Sequence, residues 1–430
     1  MFAVFATAFV GATSALTSGV STSFVVWGVL YQVPSLVNLG DTLSEPVVGF
    51  TFSVIIAICF AILAIVGAKA VKRFLYIVWG IAAIGIATIW GLLLTTSPSV
   101  FAGKWDSALA TYSTYNGVTN LATQHGWTAT PVTFAASLAA LPFAALFLLG
   151  GNFTNAVAGE VKNAKRAIPV ALILSLVFGI LFWSITSALT MNAVGSNWMY
   201  SLGYLWDNAP SAYSSAIPFA PTFPLMVALI AFPNQFLVTL ILFTMIAGSI
   251  AVPFVYFWIP SRYFFAWSFD RVIPTKLAAV NKRFRTPHYS IITITILSAL
   301  IFAAYWFTTW PTIETLGTFL WSFSFVVPGI ATMIFPYVKK DLFASAPGWM
   351  GRKVIGVPVL SLLGLITTAL FAYIGYLALS NPLIVTPTSD GVVVAVSIIV
   401  ACFLIYYVSK WYHKKQGLDT SLAFKEIPPV

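Results

Sequence analysis

Ten long stretches of this chain carry no charged residue, and the connectors rich in Lys and Arg all fall on one side of them. Backbone N–H and C=O groups in hydrocarbon have no water to bond. A chain with many apolar runs is therefore held to helices, which satisfy their own backbone, or to closed barrels. The runs lie at roughly 5–33, 46–67, 74–96, 132–159, 170–194, 234–260, 288–309, 315–337, 355–380 and 391–409. Most reach the ~20 residues that a helix needs to cross a bilayer. They are continuous rather than alternating, which excludes barrel strands. Composition agrees: 60% of residues are hydrophobic and 7% are charged, against about 25% charged in soluble domains. The expected fold is all-α, a polytopic membrane protein with about ten transmembrane helices over 1–413 and a polar cytoplasmic tail over 414–430.

The basic residues give the orientation. Lys69, Lys72 and Arg73 follow the second stretch, and Lys162, Lys165 and Arg166 follow the fourth. Arg262, Arg271, Lys276, Lys282, Arg283 and Arg285 follow the sixth. Lys339, Lys340, Arg352 and Lys353 follow the eighth, and Lys410, Lys414, Lys415 and Lys425 the tenth. That is 20 of 21 Lys and Arg on one face, with only Lys104 opposite. The positive-inside rule makes this face cytoplasmic, so the protein is expected in the cell membrane with both termini inside. In a soluble protein the net charge of +10 would suggest nucleic acid. Here topology accounts for it, and the bilayer is the expected partner. Cys59 and Cys402 sit in apolar runs without metal or disulfide spacing, and His125, His288 and His413 are scattered. No metal or cofactor is expected. Residues 1–20 lack the basic n-region of a signal peptide.

Two outer connectors, 98–131 and 195–233, are long and rich in Ser, Thr, Tyr, Asn and Pro. The second holds an apolar run, Phe223–Phe232, too short to span and expected to be interfacial or re-entrant. Counting it as a span would put the basic connectors at 160–169 and 262–287 on opposite sides.

The fourth stretch departs from a plain helix. It carries Leu141-Pro142, then Leu146, Gly150-Gly151-Asn152, Thr154 and Asn155. Glycine costs a helix about 1 kcal/mol relative to alanine. Freed backbone groups in a membrane must face a cavity or protein. One reading is a broken helix whose second half presents N–H groups to an anionic group. The other is close helix packing through small residues.

At the inner end of this stretch the chain reads Ala158-Gly159-Glu160-Val161-Lys162-Asn163-Ala164-Lys165-Arg166-Ala167-Ile168-Pro169. After the sixth stretch it reads Ser261-Arg262-Tyr263-Phe264-Phe265-Ala266-Trp267-Ser268-Phe269-Asp270-Arg271-Val272-Ile273-Pro274, and then Leu277, Val280, Arg283, Phe284, Thr286 and Pro287. These strings resemble two signatures of the amino acid–polyamine–organocation (APC) transporters. Ala164 stands where that family usually has Pro, and Arg271 where it has Gly. The resemblance implies a LeuT-like inverted-repeat fold, with the fourth stretch as the family's broken, substrate-binding sixth helix. The family's acidic residue at that break is here the neutral Asn152. The stretches then match family helices three to twelve, so the first repeat is incomplete. Either about 70–90 residues precede Met1, two spans of ~20 residues plus connectors, or the chain is a ten-span remnant. We expect the first, in which case residues 1–430 alone would not transport.

The resemblance implies a secondary transporter of amino acids or related amines, working by alternating access. Its substrate site would comprise Leu146, Gly150, Gly151, Asn152, Thr154, Ser249 and Tyr256. From the residues themselves, Thr244, Ser249 and Tyr256 read first as helix-packing groups and second as pathway residues. Glu160, Lys162, Arg166, Arg262 and Asp270 form either loop-holding ion pairs or a cytoplasmic gate. No Asp, Glu, Lys or Arg lies near the centre of any stretch, which favours neutral amino acids over dicationic amines. The coupling ion, sodium or proton, is open, and so is plain exchange. Two other classes remain: a membrane-embedded transferase, which needs an Asp, His or Glu cluster at the surface, and a non-transporting scaffold or sensor of transporter ancestry.

Overall fold

Pro34, Pro46, Pro98, Pro210 and Pro224 each stand in the first turn of the helix they open, where a missing N–H removes no helical bond. The computed structural model describes residues 2–131, 133–217, 219–308, 317–344, 351–380 and 389–418. Its helices are α1 (Phe2–Leu30), α2 (Pro34–Leu43), α3 (Pro46–Val66), α4 (Ala68–Leu94), α5 (Pro98–Leu109), α6 (Tyr115–Gln124), α7 (Phe134–Ala139) and α8 (Leu141–Leu148). A 3₁₀ helix, Leu149–Glu160, follows. Next come α9 (Ala164–Val194), α10 (Ser196–Asn208), α11 (Pro210–Ala216), α12 (Phe223–Ala231) and α13 (Gln235–Phe269). Beyond them lie α14 (His288–Phe307), α15 (Gly317–Val338), α16 (Lys340–Ala344), α17 (Val359–Ser380) and α18 (Ser389–Lys415). A two-residue antiparallel pair, Lys353–Val354 with Val357–Pro358, is the sheet among the described residues.

Nine of these helices are long and apolar enough to cross a membrane: α1, α3, α4, α9, α13, α14, α15, α17 and α18. The chain is an all-α, multi-pass membrane-type protein. The tenth expected span, 132–159, is not one helix. It is divided into α7, α8 and the 3₁₀ segment, with breaks before Leu141-Pro142 and at Leu149. Part of the expected tail, 419–430, lies outside the described residues.

Two expectations need correction. The sixth stretch was expected to end at Pro260, but α13 runs through Pro253 and Pro260 to Phe269. A proline removes one helical bond, and packed neighbours in a membrane protein make that tolerable. The outer connectors, expected as long polar links with one interfacial or re-entrant piece, are largely helical. Ser97 and Thr114 cap α5 and α6 through their side-chain oxygens, and apolar residues at helical spacing fold the segment. Phe101, Trp105 and Leu109 of α5 and Trp198, Leu202 and Leu205 of α10 are buried in one cluster with the ends of α1, α4, α9 and α13. Trp198 stacks on Tyr115 at 4.9 Å and meets Trp105 edge-on at 4.8 Å. The indoles donate to the Ser113 and Tyr115 carbonyls at 2.7 and 2.8 Å, so no polar group of the rings is stranded. The short apolar run is α12, and Leu225–Ala231 are all buried in this cap. Its hydrophobicity is spent on protein rather than lipid.

Inside the bundle α1 and α13 are the most buried spans, while the apolar windows of α9 and α18 bury no residue. Small residues set the closest crossings. A Cβ on Gly85 of α4 would stand 1.8 Å from Thr244 Cγ2 of α13, and one on Gly364 of α17 would stand 2.4 Å from the Met333 N of α15.

Candidate functional site

The expected break at Gly150-Gly151 falls where α-helical bonding ends. From Leu149 to Glu160 the backbone is a 3₁₀ helix of 12 residues, although such runs seldom exceed three or four. The local cause is legible. Two glycines weaken the α conformation, and Asn152, Thr154 and Asn155 offer the backbone competing side-chain bonds. For Leu146 and Gly150–Asn152 the backbone alone is described.

Phe153 fixes this segment to the bundle. Its ring, 7% exposed, lies edge-on to Tyr256 of α13 at 5.2 Å and 5.9 Å from Trp321 of α15. Tyr256 and Trp321 are themselves 5.9 Å apart. Ile259 and Leu320 complete the cluster. Thr154 is half-buried beside it. Ser249 lies two turns before Tyr256 on the same face of α13. Its hydroxyl bonds the Met245 carbonyl at 2.8 Å and stands 3.8 Å from where a Cβ on Gly19 of α1 would sit. Thr244 serves the close crossing with Gly85 and bonds the Leu240 carbonyl at 2.6 Å, which is a packing role.

Of the five residues expected at the inner gate, two are brought together. Arg262 Nε donates to Glu160 Oε1 at 3.2 Å. The arginine side chain is 9% exposed and the glutamate 40%. The guanidinium also lies over the Trp258 ring at 4.6 Å and donates to Ser261 Oγ at 3.0 Å. The last residue of the 3₁₀ segment is thus tied to a buried cation on α13. Among the described residues Lys162, Arg166 and Asp270 form no ion pair, and Lys162 and Arg166 are exposed. Asp270 does not meet Arg262 because α13 continues. Eight helical residues put about 12 Å between them. Arg271, with φ 60°, turns the chain away instead of pairing. Partial burial holds the Asp270 carboxyl above its ordinary pKa.

Sequence reasoning missed a hydroxyl stripe on α1. Thr13, Thr17 and Ser21 recur every four residues and are buried, so they share one face. Thr17 bonds the Thr13 carbonyl at 2.9 Å, and Ser21 the Gly40 carbonyl at 2.7 Å. Ser14 and Tyr305 of α14 share a hydrogen bond. The Thr13 hydroxyl is buried with no partner among the described residues. The signal was present as a four-residue hydroxyl repeat inside a charge-free run.

The arrangement offers neutral donors and acceptors, three packed rings and one ion pair at the inner end. Among the described residues no three His, Cys, Asp or Glu side chains gather as a metal site. The likeness to the APC signatures rests on the two strings alone: no protein-family model matches this chain, and comparison with curated proteins finds no match.

Proposed function

We propose that the chain is a secondary transporter of neutral amino acids, working by alternating access around the 3₁₀ segment. The observation that carries this reading is the 12-residue departure from α-helical bonding at Leu149–Glu160 within an apolar stretch. It leaves N–H groups near Gly151 and Asn152 outside a regular α ladder, where they suit a substrate carboxylate. Tyr256, packed on Phe153, would cover the substrate, and Ser249 and Thr154 would add neutral polar contacts. The Glu160–Arg262 pair would close the inner side. The LeuT-like inverted repeat, the cytoplasmic placement of both termini and the cell membrane as location belong to this same proposal.

The test is uptake of radiolabelled amino acids and amines by proteoliposomes holding the full gene product. Each is run with and without a sodium gradient and a pH gradient. Saturable uptake of a neutral amino acid, lost in Gly151→Leu, is the expected result. Absence of uptake for every amino acid and amine, under all gradients, rejects it. The gradients also identify the coupling ion or reveal plain exchange.

A further inference from the structure

On the face opposite the basic connectors, α1 and α2 form a helical hairpin. Their crossing is locked. A Cβ on Gly28 would stand 2.6 Å from Val37 Cγ2, and one on Gly40 would stand 2.7 Å from the Ser21 carbonyl oxygen. Ser21 Oγ ties the two helices by its 2.7 Å bond to the Gly40 carbonyl. Beside this crossing lies a cavity of about 460 Å³, within the range of small-molecule sites. It is lined by Val25 and Val29 of α1, Val37 and Asp41 of α2, Gln32 and Tyr112. Gln32 has φ 56°, a left-handed conformation that glutamine rarely adopts. This residue makes the turn between the two helices at the cavity edge.

The charge of this face is one-sided, and Asp41 is the charged residue that lines the cavity. Among the described residues the connectors on this face carry Asp41, Glu45, Asp106 and Asp207 against Lys104. Lys104 donates its ammonium to the Phe232 carbonyl. Among the described residues Asp41 has no ion pair and its carboxylate no hydrogen bond. The cavity therefore pairs an uncompensated carboxylate with aliphatic walls and an aromatic ring.

We propose that this cavity binds a small organic ammonium ion, its charge on Asp41 and its hydrocarbon part against Val25, Val29 and Val37. The Tyr112 ring adds a cation–π face. The site is separate from the 3₁₀ segment and does not rest on the transporter reading.

Saturation-transfer NMR on the protein in nanodiscs, with n-butylammonium chloride as the probe and empty nanodiscs as the blank, tests it. The expected result is saturable binding that Asp41→Asn weakens about fivefold, the scale of one solvent-accessible charge pair. Val29→Trp, which fills the cavity, should abolish it. 1-Butanol, which matches the probe in size without its charge, should bind at least about fivefold more weakly. Raising salt to about 1 M should weaken the probe, because exposed charges are screened. Asp41 is exposed, so its replacement leaves the fold intact. No saturable binding by the unmodified protein, equal affinity in Asp41→Asn, or equal binding of 1-butanol overturns the proposal.

Discussion

The Glu160–Arg262 pair permits a graded prediction. Exposed ion pairs are worth about 0–1 kcal/mol, whereas breaking a fully buried one costs about 3–5 kcal/mol. This pair is asymmetric: Arg262 is 9% exposed and Glu160 40%, so water screens one end. Glu160→Gln keeps an acceptor for Arg262 Nε and leaves the Trp258 and Ser261 contacts in place. It should cost about 1–1.5 kcal/mol, one charge-assisted hydrogen bond reduced to a neutral one. Arg262→Gln also loses the stacking on Trp258, worth about 0.5–2 kcal/mol, and should cost about 2–3 kcal/mol. The double variant should be little worse than Arg262→Gln, giving a coupling of about 1–1.5 kcal/mol in the cycle. Tryptophan fluorescence during denaturant titration of the detergent-solubilised protein reads all four forms. A coupling below about 0.3 kcal/mol, the scale of ordinary additivity, would mean that the 3₁₀ segment is not held by this pair.

Further outcomes follow from other parts of the molecule. Trp198→Ala should cost about 3–5 kcal/mol, because the ring is buried between Trp105, Phe101 and Tyr115; a loss under about 1 kcal/mol in the same titration would show the outer cap to be loosely packed. Cysteine at Ser214 should react with an impermeant thiol reagent added to intact cells and cysteine at Ala279 should not, both positions being exposed; the reverse pattern inverts the orientation. Asp270→Asn should stabilise the protein at neutral pH. Its folded pKa is raised, so the cost of holding the charge is fully present above that value and vanishes as pH falls below the ordinary carboxylate range; a pH-independent difference between the two proteins would contradict this.

The spans were legible because a run of twenty uncharged apolar residues has few ways to satisfy its backbone. What composition hid was the use of the polar connectors. Ser, Thr, Tyr and Asn read as loop residues, yet Phe101, Trp105 and Leu109 repeat every four positions and form a buried helical face. The break at Gly150 could be located from its glycines, but not its continuation to Glu160 as one 3₁₀ run, nor the packing of Phe153 between α13 and α15. Glu160 and Arg262 were visible as candidates, and their pairing spans 102 residues. Asp270 was misjudged because Pro260 read as a helix end, and two further turns of α13 carry it out of reach.

A backbone wound at 3₁₀ pitch is longer than the same residues wound as an α-helix. Twelve residues extend about 24 Å at ~2.0 Å per residue, but about 18 Å at 1.5 Å. Rewinding the segment as α-helix would draw its ends together by about 6 Å, roughly one α-helical turn. With Phe153 clamped between two rings, the seven residues from Phe153 to Glu160 would shorten by about 3.5 Å, a shift comparable with the 3.2 Å length of the bond to Arg262. The segment is in this sense an extended spring with its catch at one end: a change of winding moves the residue that carries the ion pair.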